Sequence, residues 1–156
     1  MADAAQQSGA TPGVFIDPYR SYNFKLLVGN ITQGHFTYCG NMEIEIPHIE
    51  YREGGQAQIV HQLPGPVRYG EITLRYGLTE SRELWDWMMT AVNGKVDRKH
   101  ITISLLDADG ATAVVSWDLE SAWPCRWRGA PLDTMAKQVA IEELTIVCEI
   151  LKLADK

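Results

Sequence analysis

The chain has 156 residues, enough for one globular domain with a real core. Its 46% hydrophobic and 22% charged composition excludes collagen-like, coiled-coil and wholly disordered sequence. Lys plus Arg number 14 against 20 Asp plus Glu, a formal charge of −6 and the wrong sign for gripping phosphate backbones.

Residues 1–18 lack periodicity and carry Gly9, Pro12, Gly13 and Pro18, so they read as an extended N-terminal arm ahead of one domain over residues 19–156. The polar opening has no basic segment followed by an apolar one, and runs such as Leu26-Leu27-Val28 fall far short of the ~20 residues of a membrane helix. Neither export by a signal peptide nor membrane insertion is expected. Period-2 alternation starts at Tyr22, Phe24, Leu26 and Val28 and predicts a half-buried strand. A second strand is expected near Gly34 to Tyr38, and a third with Met42, Ile44 and Ile46 inward and Glu43 and Glu45 outward.

At Pro47 the apolar parity changes to Ile49 and Tyr51, which calls for a bulge or bend. Arg52-Glu53-Gly54-Gly55 reads as a turn, Ile59 to Leu63 as a return segment and Pro64-Gly65-Pro66 as a stiff corner. Ile72, Leu74, Tyr76 and Leu78 alternate with Glu71, Thr73 and Arg75, so one face of this strand meets water or a polar partner.

The period changes to helical over about residues 80–93, with Leu84, Trp85, Met88, Ala91 and Val92 on one stripe. Thr79 or Ser81 is the expected cap, and Asn93-Gly94 the left-handed exit. Ile101 to Leu105 and Val115 to Leu119 flank the turn Asp107-Ala108-Asp109-Gly110 and predict a hairpin. Trp123, Cys125 and Trp127 are expected to continue the odd-numbered face. The last strand slips from Val139 and Ile141 to Leu144, Ile146, Cys148 and Ile150 across Glu142-Glu143. Many strands, one helix and no βα alternation predict a mainly β fold: an antiparallel barrel or sandwich with one flanking helix.

Catalytic and metal signatures are missing. An EF-hand register on Gly110 would put Leu105 and Ser116 where carboxylates belong, so residues 107–110 read as a turn. Gly94-Lys95-Val96 lacks the rest of a phosphate loop, no GxSxG or HExxH occurs, and the four histidines fall in different elements. Cys39, Cys125 and Cys148 are odd in number and widely spaced, which suits reduced thiols. Three of the five tryptophans lie on one strand face and Trp85 on the helix stripe, leaving Trp87 as the interface candidate. No cofactor, metal or enzymatic activity is expected.

The ordered set Ile49-Glu50-Tyr51-Arg52-Glu53-Gly54-Gly55, Leu63-Pro64-Gly65-Pro66, Tyr69-Gly70-Glu71-Ile72-Thr73-Leu74 and Leu84-Trp85-Asp86-Trp87 resembles a known family. So do Ile101 to Gly110, Ala122-Trp123-Pro124, Leu132-Asp133 and Val139-Ala140-Ile141-Glu142. The family is that of the inner-tube proteins of contractile injection systems and contractile phage tails, and the likeness spans about Tyr22 to Leu151. The resemblance implies a barrel-like subunit that forms homohexameric rings stacked into a tube. It further implies a surrounding sheath, spike or baseplate proteins at the end, and cargo effector or DNA in transit. Assembly in the cytoplasm into a phage-tail-like or injection particle is the matching expectation.

Candidate lumen-lining residues are Glu43, Glu45, Glu71, Thr73 and Arg75, with Glu142 and Thr145 also considered. Candidate inter-subunit contacts are Tyr19, Arg52, Glu53, Gly54, Gly55, Pro64 and Trp87. An acidic bore with few cations would hold neither DNA nor cargo fast. Two other readings are a tube initiator or adaptor at the baseplate or spike end and a monomeric barrel that binds a small ligand.

Overall fold

The computed structural model describes residues 21–29, 36–55, 59–78 and 80–154. The predicted arm and Tyr19 lie outside them. Strands β1 (Phe24–Val28), β2 (Phe36–Cys39), β7 (Ile72–Gly77), β8 (Lys99–Leu106), β9 (Ala113–Arg128) and β10 (Ile141–Val147) form one antiparallel sheet in the order β1-β8-β9-β10-β7-β2. Strand β11 (Ile150–Leu153) lies beside β9. Two short ladders stand apart: β3 (Ile44–Glu45) with β6 (Arg68–Tyr69), and β4 (His48–Tyr51) with β5 (His61–Pro64). The single helix α1 spans Glu83–Val92.

The 16-residue β9 is the hinge of the sheet. Its first part pairs with β8, Ile101 opposite Leu119 and Ile103 opposite Trp117, and its last part pairs with β10 from Trp123 to Arg128. Between them Ser121 adopts φ 53°, a left-handed conformation rare for a residue with a side chain. One such residue flips the pleat, so the buried positions change from Leu119 to Ala122 and Pro124. The expected run of Trp123, Cys125 and Trp127 on one unbroken odd face is therefore corrected. The second bulge also sits on β9 rather than at Glu142-Glu143. Thr145 pairs with Arg126 and Ile146 with Pro124, so the proline lacking an N–H falls where the ladder is already interrupted. At the other end, β10 stops at Val147 and turns through Cys148 and Glu149, and Val139 lies ahead of the strand in a loop.

The core lies between the two arms of this bent sheet: Leu26, Val28, Ile72, Leu74, Tyr76, Ile101, Ile103, Leu119, Ala122, Leu144 and Ile146, with Leu84 and Trp87 from the helix. The helical stripe is rotated from the expected one. Trp87 is buried at 2% exposure and donates its indole N–H to the Asp97 carbonyl at 2.7 Å, whereas Val92 is exposed. Trp85 instead meets the edge of Trp127, centroids 4.7 Å apart. Arg82 occupies the N-cap position without a side-chain cap bond, in place of the expected Thr79 or Ser81; Thr79 is outside the described residues. The exit is as expected, with Gly94 at φ 74°. No helix of the described residues is long and apolar enough to cross a membrane.

Candidate functional site

Two surfaces stand out. The first is the outer face of β2, β7, β10 and the end of β9. Burial of Ile72, Leu74 and Tyr76 on one side of β7 puts Glu71, Thr73 and Arg75 on the other. Register then places Glu143 beside Arg75 and Arg128, and Thr73 beside Thr145. Arg75 Nε donates to Glu143 Oε2 at 3.1 Å, and Arg128 Nη1 to Glu143 Oε1 at 3.2 Å. Arg126 Nη1 lies 3.5 Å from Glu71 Oε2, and the Arg75 guanidinium sits 4.8 Å over the Tyr38 ring. Three guanidiniums thus face two carboxylates. Thr145 is beneath this layer at 2% exposure, and Glu142 shares the core-side parity of Leu144, opposite Tyr76. Burial, and then the neighbouring Glu142 carboxylate, push the Tyr76 phenol far above its ordinary range.

Glu43 and Glu45 are not part of that face. Glu45 lies opposite Arg68 in the β3–β6 ladder, and the Glu43 carbonyl accepts the Gly70 N–H at 3.0 Å. Ile44 and Ile46, expected inward, are 55% and 54% exposed. The reason is topological: β3 pairs only with β6 and has no core beneath it.

The second surface begins at this ladder. All eight residues of β4 and β5 are exposed, including Ile49, Tyr51 and Leu63. Pro47 separates β3 from β4, so the parity change found in the sequence is a break between strands. The base is pinned by Gly65, whose N–H donates to the Pro47 carbonyl at 2.6 Å. A Cβ at Gly65 would stand 2.6 Å from that oxygen, so only glycine fits. Arg52, Glu53, Gly54 and Gly55 are exposed at the far end, Gly55 at φ 104°, and Pro64 is exposed near the base. Trp87 is not brought to this surface; its burial corrects the expectation of an interface role.

Sequence reasoning passed over a third exposed apolar group, in the loop of residues 129–140: Leu132, Met135 and Val139 at 88%, 86% and 79% exposure. Part of its signal was available, because Leu132 and Met135 fit neither a strand nor a helix stripe; Val139 was expected to open the last strand, which begins at Ile141. Among the described residues β1 pairs only with β8, β2 only with β7 and β11 only with β9, so three strands of the sheet are paired on one side.

Burial raises the Cys39 thiol to about 11 and also raises Cys125 and Cys148, which keeps all three protonated near neutrality. Among the described residues no group of three or more His, Cys, Asp or Glu side chains is placed to hold a metal. Asp109 spends both carboxylate oxygens on Ala111 and Thr112 within its own turn.

Comparison with known proteins bears on these surfaces. The family described as T4-like virus tail tube protein gp19 matches residues 20–152. Among solved structures, a chain of the sheath-tube complex of an extracellular contractile injection system, PVC, in the extended state is 28% identical. The match covers 88% of this chain and 91% of that one, with a TM-score of 0.79. A chain of the PVC sheath/tube terminator in the extended state is 26% identical, covering 91% and 100%, with a TM-score of 0.83. Hcp1 from Flavobacterium johnsoniae shares the fold at 15% identity, 85% and 94% coverage and a TM-score of 0.55. A search of the curated proteins found no match.

Proposed function

The chain belongs to the T4-like virus tail tube protein family, and on that footing we propose that it is the structural subunit of the inner tube of a contractile injection system or phage-tail-like particle. In this reading six copies close into a ring and rings stack around an aqueous bore. The observation that carries it is the β4–β5 hairpin, wholly exposed yet bearing Ile49, Tyr51 and Leu63, on a body whose sheet has, among the described residues, three strands paired on one side only. Exposed apolar side chains and open strand edges are liabilities in a monomer and become bonds in a closed, repeating assembly.

The paired charges around Glu143 suit the bore. Glu71, Thr73 and Arg75 remain the candidates for its lining, joined by Arg126, Arg128 and Glu143. Most of these charges are paired within one subunit, and three guanidiniums against two carboxylates leave a single positive charge per copy, a weak field at physiological salt. In place of the acidic bore with few cations expected from the sequence, this lining is largely paired and slightly cationic. Glu43, Glu45, Arg52, Glu53, Gly54, Gly55 and Pro64 fall to the contacts between subunits, together with the arm and its Tyr19. The partners in this reading are a sheath outside, spike or baseplate proteins at one end, and cargo effector or DNA within. Assembly takes place in the cytoplasm, and the subunit needs no catalysis or cofactor.

Negative-stain microscopy and native mass spectrometry of the purified chain test the proposal. Six-membered rings or stacked tubes are expected; a strict monomer at high concentration would overturn it. The match to a chain of a tube-terminator assembly favours a second reading, a component of the tube end. Copy number per native particle separates the two, many rings for a tube and one for an end piece.

A further inference from the structure

Leu132, Met135 and Val139 of the 129–140 loop are exposed among the described residues, and the loop's position points to a partner. Strands β7 and β10 run antiparallel, Ile146 opposite Ile72 and Ile141 opposite Gly77. The hairpin and its β3–β6 base lead into β7 at the Ile72 end, whereas the loop leads into β10 at the Gly77 end. They leave the same strand pair at opposite ends, separated by about 20 Å of strand. A second copy displaced along the strand direction therefore brings its hairpin end to the first copy's loop end. A contact of that kind is head-to-tail and repeats without limit.

The chemistry of the two ends matches. The loop offers Leu132, Met135 and Val139, and Asp133 braces it by accepting the Met135 N–H on Oδ1 at 2.9 Å and the Ala136 N–H on its carbonyl at 3.2 Å. The hairpin offers Ile49, Tyr51 and Leu63. Beside these apolar groups lie a cation and an anion on each side: Arg52 and Glu53 on the hairpin, Lys137 and Asp133 on the loop. All four are exposed, and none forms an ion pair among the described residues. We propose that the 129–140 loop is the seat for the β4–β5 hairpin of a second copy of this chain in the next ring, with Arg52 meeting Asp133 and Glu53 meeting Lys137. Met135 gives the seat an adaptable apolar floor. The proposal rests on the tube reading for the existence of stacked copies.

Charge reversal tests it. One variant carries Arg52→Asp and Glu53→Lys, a second carries Asp133→Lys and Lys137→Glu, and each is scored for tube length by negative stain and for rings by sedimentation. Each alone is expected to cut stacking by at least about tenfold while rings survive. Mixing the two should restore stacking, because the reversed hairpin then meets the reversed loop. Unaltered tubes in the loop variant, loss of the rings themselves, or no rescue on mixing would overturn the proposal. Carbodiimide cross-linking of the wild-type assembly gives an independent reading: a Glu53–Lys137 peptide in tubes and not in isolated rings supports it, and Glu53 joined elsewhere refutes it. A wild-type chain that forms neither rings nor tubes would instead sink the underlying tube reading.

Discussion

Strands β4 and β7 are built from similar residues and meet opposite fates. Leu74 in β7 is fully buried, whereas Ile49 in β4 is 55% exposed. Strand β7 is paired on both edges, by β10 and β2, and its apolar side faces the opposing arm of the sheet. Among the described residues strand β4 pairs only with β5, and all four of its residues are exposed. Alternation marks a strand; what lies against its faces is decided by topology. On the proposed tube reading the hairpin's apolar side chains serve contacts made after folding, and the two regions should respond to mutation in opposite ways.

Leu74→Ala gives the largest expected effect, a loss of about 2–5 kcal/mol from a cavity in the centre of the core, read by urea unfolding at concentrations too low for assembly. Ile49→Ser should change the same measurement by no more than about 0.5 kcal/mol while sharply reducing tube formation. Equal destabilisation by both would erase the distinction and make the hairpin part of the folding core.

The same contrast explains what could be read in advance. Strand β7, the β8–β9 hairpin and the Gly94 exit follow from spacing and turn chemistry carried by neighbouring residues. The burial of Trp87 does not. Leu84, Met88 and Ala91 fit a stripe whether the helix rolls toward Trp85 or Trp87, and the choice is made by an acceptor ten residues on, the Asp97 carbonyl. The flip at Ser121 is equally silent, because serine carries no signal for a left-handed backbone. The turn at the end of the hairpin was legible in Arg52-Glu53-Gly54-Gly55, whereas Glu43 and Glu45 could be separated from the β7 face only by pairing. Trp87→Phe sharpens this point: it removes the donor to Asp97 and should cost about 1 kcal/mol with assembly unchanged. Impaired assembly at unaltered stability would return Trp87 to the interface.

The smallest effect belongs to the other hairpin turn, between β8 and β9, which is braced from within. Asp109 accepts the Thr112 hydroxyl at 2.6 Å and the Thr112 and Ala111 N–H groups at 3.0 and 2.9 Å, and these bonds lower its carboxyl from the ordinary 3.8 to about 2. A carboxyl lowered by folding contributes stability that is complete above its unfolded value and is lost as pH falls through its folded one. The deficit of Asp109→Asn relative to wild type should therefore be steady at neutral pH and shrink between about pH 4 and pH 2. Thermal melts across that window measure it, and a deficit that stays constant down to pH 2 would show that the charge of Asp109 plays no part in the brace. Ring formation at neutral pH should be indifferent to the substitution, since this turn meets its hydrogen-bonding needs within its own chain.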